Sequence, residues 1–206
     1  MGSMYADALD GRHSLHALYP DGRRVTVPVG SWTGGLLPGD DSLLARCRSG
    51  TLDVGCGPGR LLVALAHRGV EAAGVDIGAA AVRIARGAGG EVFHASVFDP
   101  LPDESTWDTV LLADGNVGIG GRPELLLARV RELMSPYGRA LVELDAPETS
   151  SGSVRLRLVT ADAIGEPFDW AHLSVRDAVE VSAGVGLAVE TTWNSADRWF
   201  VSLRRS

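Results

Sequence analysis

The chain contains 206 residues, 45% of them hydrophobic and 22% charged, a balance typical of one globular domain with a sizeable core. The formal net charge of −7 excludes a broad phosphate-binding face, so we predict no nucleic-acid partner. No apolar run is long enough to cross a bilayer and no signal peptide is visible, so we predict no membrane partner. The two cysteines, Cys47 and Cys56, are typical of reduced thiols in a cytoplasmic protein.

The first part of the domain, which we place at residues 4–206, has little periodic apolar content. We predict that residues 4–48 form a flap that leans on the main body. Within it, residues 24–29 favour an extended edge piece, and Asp40-Asp41-Ser42 is expected to cap a short helix. Trp32 could close over a ligand, and packing in the core is an equally good interpretation.

From Thr51 the sequence alternates short apolar runs with helical patterns. The helix opened by Pro123 carries its apolar residues at helical spacing as far as Met134. This alternation predicts a parallel, right-handed, doubly wound α/β sheet. Its five strands are predicted at residues 52–54, 72–75, 92–94, 108–113 and 139–144.

After Asp145 the alternation stops. Residues 146–172 read as an inserted hairpin, in which residues 154–159 pair with residues 168–172. A further helix follows, and the chain then closes with an antiparallel hairpin of residues 187–193 and 199–204.

The stretch that links the first strand to its helix carries three alternating glycines: Gly55, Gly57 and Gly59. Glycine lets the backbone approach a ligand, and a helix N-terminus favours a polar or anionic group. Asp53 precedes the turn, and Asp76 ends the next strand, where a carboxylate could hold a ribose. The spacing differs from the dinucleotide fingerprint, because Arg60 stands where that pattern has its last glycine.

With these residues, the runs 52–59 and 74–77 resemble those of class I S-adenosylmethionine-dependent methyltransferases. The resemblance covers residues 50–145, and the closing hairpin fits the family's last two strands. It implies a Rossmann-like sheet of seven strands whose last strand is antiparallel, and S-adenosylmethionine as the cofactor.

The resemblance also implies roles for individual residues. Asp76 would hold the ribose, Asp53 would support the turn or the cofactor's amino group, and residues 96–98 would lie by the adenine. Many members have an aspartate where Ser96 stands, which leaves the adenine amino contact open. The implied cofactor-binding residues are Asp53, Gly55, Cys56, Gly57, Gly59, Asp76, Ile77, Ser96, Val97, Phe98 and Asp114.

The loop after the fourth strand lies where the family places residues near the transferred methyl group. We therefore predict Asp114 and Asn116 as catalytic residues, and Asn116 and Trp32 as substrate contacts. Methyl transfer is an in-line displacement, so the protein mainly aligns a nucleophile, excludes water and can remove a proton. The alternative for Asp114 is that it only caps its loop.

Other polar residues receive plainer predictions. Asp114 and Asp145 end neighbouring strands, but Ala146 stands where a metal-dependent relative would have its third ligand, so no metal is predicted. His94 is expected in the core. His13, His16 and Tyr19 are expected at the surface, with contact to a substrate as the alternative.

The leading hypothesis is a methyltransferase acting on a small molecule in a pocket formed by the Asp114 loop, the flap and the insert. Two alternatives stay open, namely a cofactor-binding protein without transferase activity and transfer of the cofactor's aminocarboxypropyl or aminopropyl arm. The oligomeric state is left open.

Overall fold

Two β-sheets organise the computed structural model, which describes residues 2–206. Its elements are, in chain order, α1 (Gly2–Leu9), β1 (His16–Leu18), β2 (Arg24–Thr26), α2 (Val29–Trp32), α3 (Asp40–Leu44), β3 (Thr51–Val54), α4 (Arg60–His67), β4 (Ala72–Asp76), α5 (Ala79–Gly87), β5 (Glu91–His94), β6 (Trp107–Leu112), a 3₁₀ segment (Asn116–Gly121), α6 (Pro123–Leu133), β7 (Met134–Leu144), β8 (Gly152–Val159), β9 (Ile164–His172), α7 (Val175–Gly184), β10 (Leu187–Ser195) and β11 (Arg198–Arg205).

The larger sheet has seven strands in the order β10-β11-β7-β6-β3-β4-β5. The pairs from β7 to β5 are parallel, whereas β11 runs antiparallel to both of its neighbours. The predicted Rossmann-like sheet of seven strands with an antiparallel last strand is therefore confirmed, and so is the closing hairpin.

The central strands are apolar on both faces because helices cover both sides of the sheet. Alternate residues of β6 show this, since Val110 and Leu112 pack in one core cluster while Leu111 packs in another. The first cluster includes Leu126 of α6, and the second includes Leu61 of α4. Burial on both faces fixes the register of these strands.

Two local predictions are wrong. Met134 does not continue its helix but begins β7, where it is fully buried in an extended conformation opposite Trp107. The short helix α3 exists, but its N-cap is Gly39, with a φ of +93° and no capping side chain. Asp40 lies inside that helix, and its carboxylate accepts a hydrogen bond from the N–H of Leu37 at 2.7 Å. The Asp40 carboxylate therefore stabilises the turn before the helix and does not cap the helix N-terminus.

His94 is not in the core, contrary to the prediction. It ends β5, the edge strand of the larger sheet, and its side chain is exposed. A strand at the sheet edge has a neighbour on one side only, which leaves its last residue open to solvent.

The smaller sheet has the order β2-β1-β8-β9, and we call it the cap sheet. Its β8–β9 pair confirms the predicted inserted hairpin, and β2 lies within the predicted edge piece. The flap and the insert were predicted separately, but β1 pairs with β8, with His16 opposite Val159. Distant parts of the chain therefore form one sheet.

The cap sheet rests on the main body through β9 and the 3₁₀ segment. A Cβ atom added at Gly118 would lie 2.6 Å from the indole nitrogen of Trp170, so the two backbones meet with no room for a side chain. Within residues 2–206, no helix combines the length and apolarity needed to cross a membrane.

Candidate active site

A pocket of about 940 Å³ lies between the carboxyl edge of the larger sheet and the cap sheet. Ligands of open α/β sheets bind outside the carboxyl ends of the strands, because neighbouring loops diverge there. Four parallel strands bring an aspartate to this pocket, one within the strand and three at or just beyond its end: Asp53, Asp76, Asp114 and Asp145.

The glycine turn forms one wall of the pocket. Gly55 has a φ of +71°, and a Cβ atom added to it would lie 2.7 Å from the side-chain amide nitrogen of Asn116. That nitrogen donates to the carbonyls of Val54 at 2.9 Å and Gly55 at 3.0 Å. The structure therefore brings Asn116 to the turn, and its amide holds the turn in place. Gly57, Gly59 and the buried Cys56 complete the stretch, of which Cys56 and Gly57 line the pocket.

Asp76 closes the turn from the next strand. Its carboxylate accepts hydrogen bonds from the backbone N–H groups of Gly57 at 2.9 Å and Gly78 at 2.6 Å. Burial raises the pKa of Asp76, and these two bonds partly oppose that change. A carboxylate oxygen can accept more than one hydrogen bond, so the fixed group keeps capacity for ligand hydroxyls.

Asp53 is a carboxylate with only 2% of its surface exposed, and it lines the same pocket. Burial, followed by the nearby carboxylates of Asp114 and Asp76, raises the pKa of Asp53 to about 8. A buried carboxylate is costly unless a positive group joins it. This part of the pocket therefore suits a ligand that carries positive charge.

Apolar side chains form the opposite end of this wall. Ile77 is 69% exposed and Phe98 is 44% exposed, and both line the pocket. Val97 is buried, and the Ser96 hydroxyl accepts a hydrogen bond from the N–H of Phe98 at 3.2 Å. An exposed aliphatic and an exposed aromatic side chain at one end of a pocket can hold a flat ring between them.

Asp114 lies in a network of charges. One of its oxygens accepts from Arg60 at 2.6 Å and the other from Arg198 at 3.2 Å, and its N–H donates to Glu143 at 2.6 Å. Both arginines also pair with the fully buried Asp40. The Asp114 carboxylate is thus brought to the pocket, but both of its oxygens are already engaged.

A second polar group lies at the junction of the two sheets. The Nδ1 atom of His172 is 3.1 Å from a carboxylate oxygen of Asp145, and its Nε2 atom is 3.2 Å from the Tyr19 hydroxyl. The rings of Tyr19 and His172 are stacked with an interplanar angle of 15°. All three residues line the pocket. The alternating pattern of β9, in which Phe168, Trp170 and His172 share a face, is the sequence signal that could have indicated His172.

The expectation that Tyr19 lies at the surface is wrong, since its side chain is half-buried in the pocket wall. Pairing of β1 with β8 carries it there, and that pairing is not visible locally. His13 is exposed, as predicted. His16 is half-buried in β1, and its Nδ1 atom lies 3.3 Å from the hydroxyl of Thr26.

The N-terminal helix contributes a residue that the sequence did not indicate. Tyr5 lines the pocket beside the glycine turn, and burial followed by the nearby Asp76 raises its pKa. Its ring meets that of Trp32 edge to face, at a centroid separation of 6.3 Å. Trp32 both lines the pocket and packs against the cluster of Ala8, Leu15 and Val29. Trp32 therefore packs in a hydrophobic cluster and also faces the pocket, so both interpretations of this residue describe its position.

Asp114 and Asp145, which follow neighbouring strands, bind different partners. Asp114 is held by arginines, whereas Asp145 contacts His172. Across residues 2–206, no three His, Cys, Asp or Glu side chains gather in a way that could hold a metal ion.

Comparison with known proteins agrees with this geometry. Residues 51–138 match the family model described as "Methyltransferase domain". No curated protein sequence matches the chain.

Solved structures share the fold at low sequence identity. An S-adenosylmethionine-dependent methyltransferase from Bacteroides fragilis, in complex with S-adenosyl-L-homocysteine, has a TM-score of 0.84 and 23% identity, covering 100% of this chain and 94% of its own. The 1,6-didemethyltoxoflavin-N1-methyltransferase of Burkholderia thailandensis has a TM-score of 0.60 and 15% identity, covering 81% and 76%. The sugar N-methyltransferase KedS8 from Streptoalloteichus has a TM-score of 0.59 and 19% identity, covering 80% and 83%.

Residues 51–138 thus match a methyltransferase domain, and the chain has the class I, Rossmann-like fold of solved S-adenosylmethionine-dependent methyltransferases. The pocket fits that cofactor on the chain's own evidence: a buried carboxylate for a cationic group (Asp53), a fixed carboxylate for hydroxyls (Asp76) and two exposed apolar side chains for a ring (Ile77 and Phe98).

Proposed function

We propose that this protein is an S-adenosylmethionine-dependent methyltransferase that acts on a small-molecule acceptor. The observation that carries the proposal is the cap sheet, which covers the carboxyl edge of the larger sheet with side chains of the same chain. Pockets for small ligands measure about 300–1,000 Å³. At about 940 Å³, this pocket has room for the cofactor and a small acceptor together.

The side chains of the cap sheet indicate which class of acceptor the pocket favours. The cap sheet faces the pocket with the apolar and aromatic side chains Leu156, Leu158, Phe168 and Trp170. Such a wall favours a flat, mainly apolar molecule, with specificity supplied by a few polar groups. The net charge of −7 disfavours a nucleic-acid acceptor.

Two structural neighbours support an acceptor of this size. The Burkholderia thailandensis enzyme has 1,6-didemethyltoxoflavin bound with S-adenosylhomocysteine, and KedS8 is a sugar N-methyltransferase. We extend only the size class of these acceptors to the present chain. The free thiols of Cys47 and Cys56 support a cytoplasmic location.

For the cofactor, we propose the residues that the sequence indicated: Asp53, Gly55, Cys56, Gly57, Gly59, Asp76, Ile77, Ser96, Val97, Phe98 and Asp114. When bound, the cofactor supplies a methyl group on a positively charged sulfur. The protein then has to align the acceptor and exclude water, and the cap sheet does both. Asn116 supports this alignment by holding the glycine turn, and Trp32 limits the pocket from the flap.

The test is product identification with methyl-labelled cofactor and a panel of small aromatic acceptors that carry a hydroxyl or an amine. We expect label in the small-molecule fraction and S-adenosylhomocysteine as the co-product. Label in protein or nucleic acid would contradict a small acceptor. Methylthioadenosine as the co-product would show transfer of another arm of the cofactor. Cofactor binding without turnover of any acceptor would favour a binding protein.

A further inference from the structure

Most carboxylates of the pocket are already occupied by other groups. Both oxygens of Asp114 accept from arginines, and both oxygens of Glu143 accept from Arg198, at 2.8 and 2.7 Å. Asp76 holds two backbone N–H groups. Asp53 lies beside the glycine turn, in the part of the pocket that suits the cofactor's positive charge. None of these groups is well placed to take a proton from an acceptor under the cap sheet.

The group formed by Tyr19, His172 and Asp145 differs from these. It stands where β9 of the cap sheet meets the end of β7, so it faces the acceptor side of the pocket. The side chains of His172 and Asp145 are 35% and 37% exposed, which leaves them open to the pocket.

We propose that His172 is the general base of the methyl transfer and accepts the acceptor's hydroxyl or N–H proton at Nε2, while Asp145 orients its ring. The inference rests on the proposed function, because it deepens the acceptor side of the same site. It implies that the acceptor's nucleophilic group is neutral and loses a proton during the reaction.

The hydrogen bonds fix the tautomer that this role requires. An ionised carboxylate only accepts hydrogen bonds, so Asp145 draws the imidazole proton to Nδ1. The lone pair is then on Nε2, which lies 3.2 Å from the Tyr19 hydroxyl. The neutral Tyr19 hydroxyl holds that place in the structure, and the acceptor's own X–H group displaces it when it binds.

The proton balance of the step is complete. The acceptor atom X forms a bond to the methyl carbon while the bond between sulfur and that carbon breaks, and sulfur keeps the electron pair. The X–H bond breaks, its electron pair stays on X, and the proton moves to Nε2. The positive charge that leaves the sulfur thus reappears on the imidazolium, where Asp145 stabilises it.

The titratable and charged groups around His172 come from two elements. Asp145 follows β7, while Tyr19 and Arg23 belong to the turn between β1 and β2, with the Arg23 guanidinium 3.8 Å from the centre of the Tyr19 ring. The hydrogen bond to Asp145 raises the pKa of His172, and burial and Arg23 partly oppose this. The imidazole therefore gains its proton more readily than an ordinary histidine does.

The experiment compares His172→Gln with His16→Gln, a control in β1 whose side chain does not line the pocket. Removing a general base lowers turnover by about 10²-fold or more. We expect this loss in His172→Gln, together with loss of the acidic limb of the pH–rate profile and an unchanged melting shift with S-adenosylhomocysteine. His16→Gln should keep both turnover and the limb. Tyr19→Phe should lose less than about 10-fold, because the hydroxyl only marks the place of the acceptor.

A second readout needs no acceptor. In an NMR titration of the imidazole, Asp145→Asn should lower the pKa of His172. An unmoved pKa would overturn the orienting role even if no acceptor is found. Turnover within about 3-fold of wild type in His172→Gln would overturn the base, given the size of the effect expected. Failure of the proposed function is distinct, because the wild type itself would then methylate no small molecule.

Discussion

Two regions of this protein are built in opposite ways. The cofactor half, residues 51–144, assembles its site from neighbouring strand–turn–helix units, and backbone N–H groups position the carboxylate of Asp76. The cap sheet joins β1 from the flap to β8 from the insert, and its side chains line the pocket. The proposed cofactor site is therefore built from residues in neighbouring parts of the sequence. The proposed acceptor site depends on pairing between strands that are distant in the sequence.

The flap, which supplies β1 of the cap sheet, is tied to the cofactor half through the pairing of Asp40 with Arg60, and breaking this tie should give the largest effect. Asp40 of the flap is fully buried between Arg60 and Arg198, whereas the adjacent Asp41 is 81% exposed and pairs with Arg68. Breaking a buried ion pair costs about 3–5 kcal/mol, and an exposed pair contributes about 0–1 kcal/mol. Chemical denaturation of Asp40→Asn should show the larger loss and Asp41→Asn the smaller one. Equal losses would contradict a stabilising role for the buried ion network.

The cofactor half is tested by Asp76→Ala. This change removes the acceptor of two backbone hydrogen bonds and the proposed ribose ligand, so cofactor binding should weaken by about 3 kcal/mol, or about 100-fold. The rise in melting temperature with S-adenosylhomocysteine should then largely disappear, and NAD should raise the melting temperature of neither protein. Glu91→Ala, at the exposed start of β5, should keep the full shift. An undiminished shift in Asp76→Ala would contradict the cofactor assignment.

The cap sheet is tested by Gly118→Ala. The new methyl group would meet Trp170 at 2.6 Å as well as the Ala171 carbonyl, so β9 must move away from the 3₁₀ segment. Overpacking costs about 1–3 kcal/mol. We expect a raised KM for the acceptor and a nearly unchanged melting shift with the cofactor. Gly87→Ala is the control, since no atom of residues 2–206 outside its own helix backbone and chain neighbours lies within 4 Å of the added Cβ position.

The smallest expected effect is the release of a proton from Asp53 when the cofactor binds. Its folded pKa of about 8 lies above the unfolded value, so its contribution to stability is full at low pH and is lost as the pH rises toward 8. A cationic ligand favours the ionised form, and cofactor binding near neutral pH should therefore release a proton. Calorimetry in two buffers of different ionisation enthalpy measures that release, and Asp53→Asn should abolish it. Proton uptake on binding would contradict this account of Asp53.

The sequence predicts the fold of the cofactor half well because its signals are local. Gly55 needs a left-handed backbone conformation, and Asp76 ends the strand that follows. The contact between Tyr19 and His172 has no local signature, since it exists only because β1 pairs with β8. Met134 shows a smaller limit, because an apolar residue at helical spacing fits a buried strand equally well.

The most direct test of this division is one steady-state experiment on two variants, in which KM is measured for the cofactor and for the acceptor. The account predicts opposite patterns. Asp76→Ala should raise the KM for the cofactor by about 100-fold and leave the KM for the acceptor nearly unchanged. Gly118→Ala should raise mainly the KM for the acceptor. If both variants raise the KM for the cofactor and the KM for the acceptor to the same degree, the two regions do not bind the two ligands separately, and the account is contradicted.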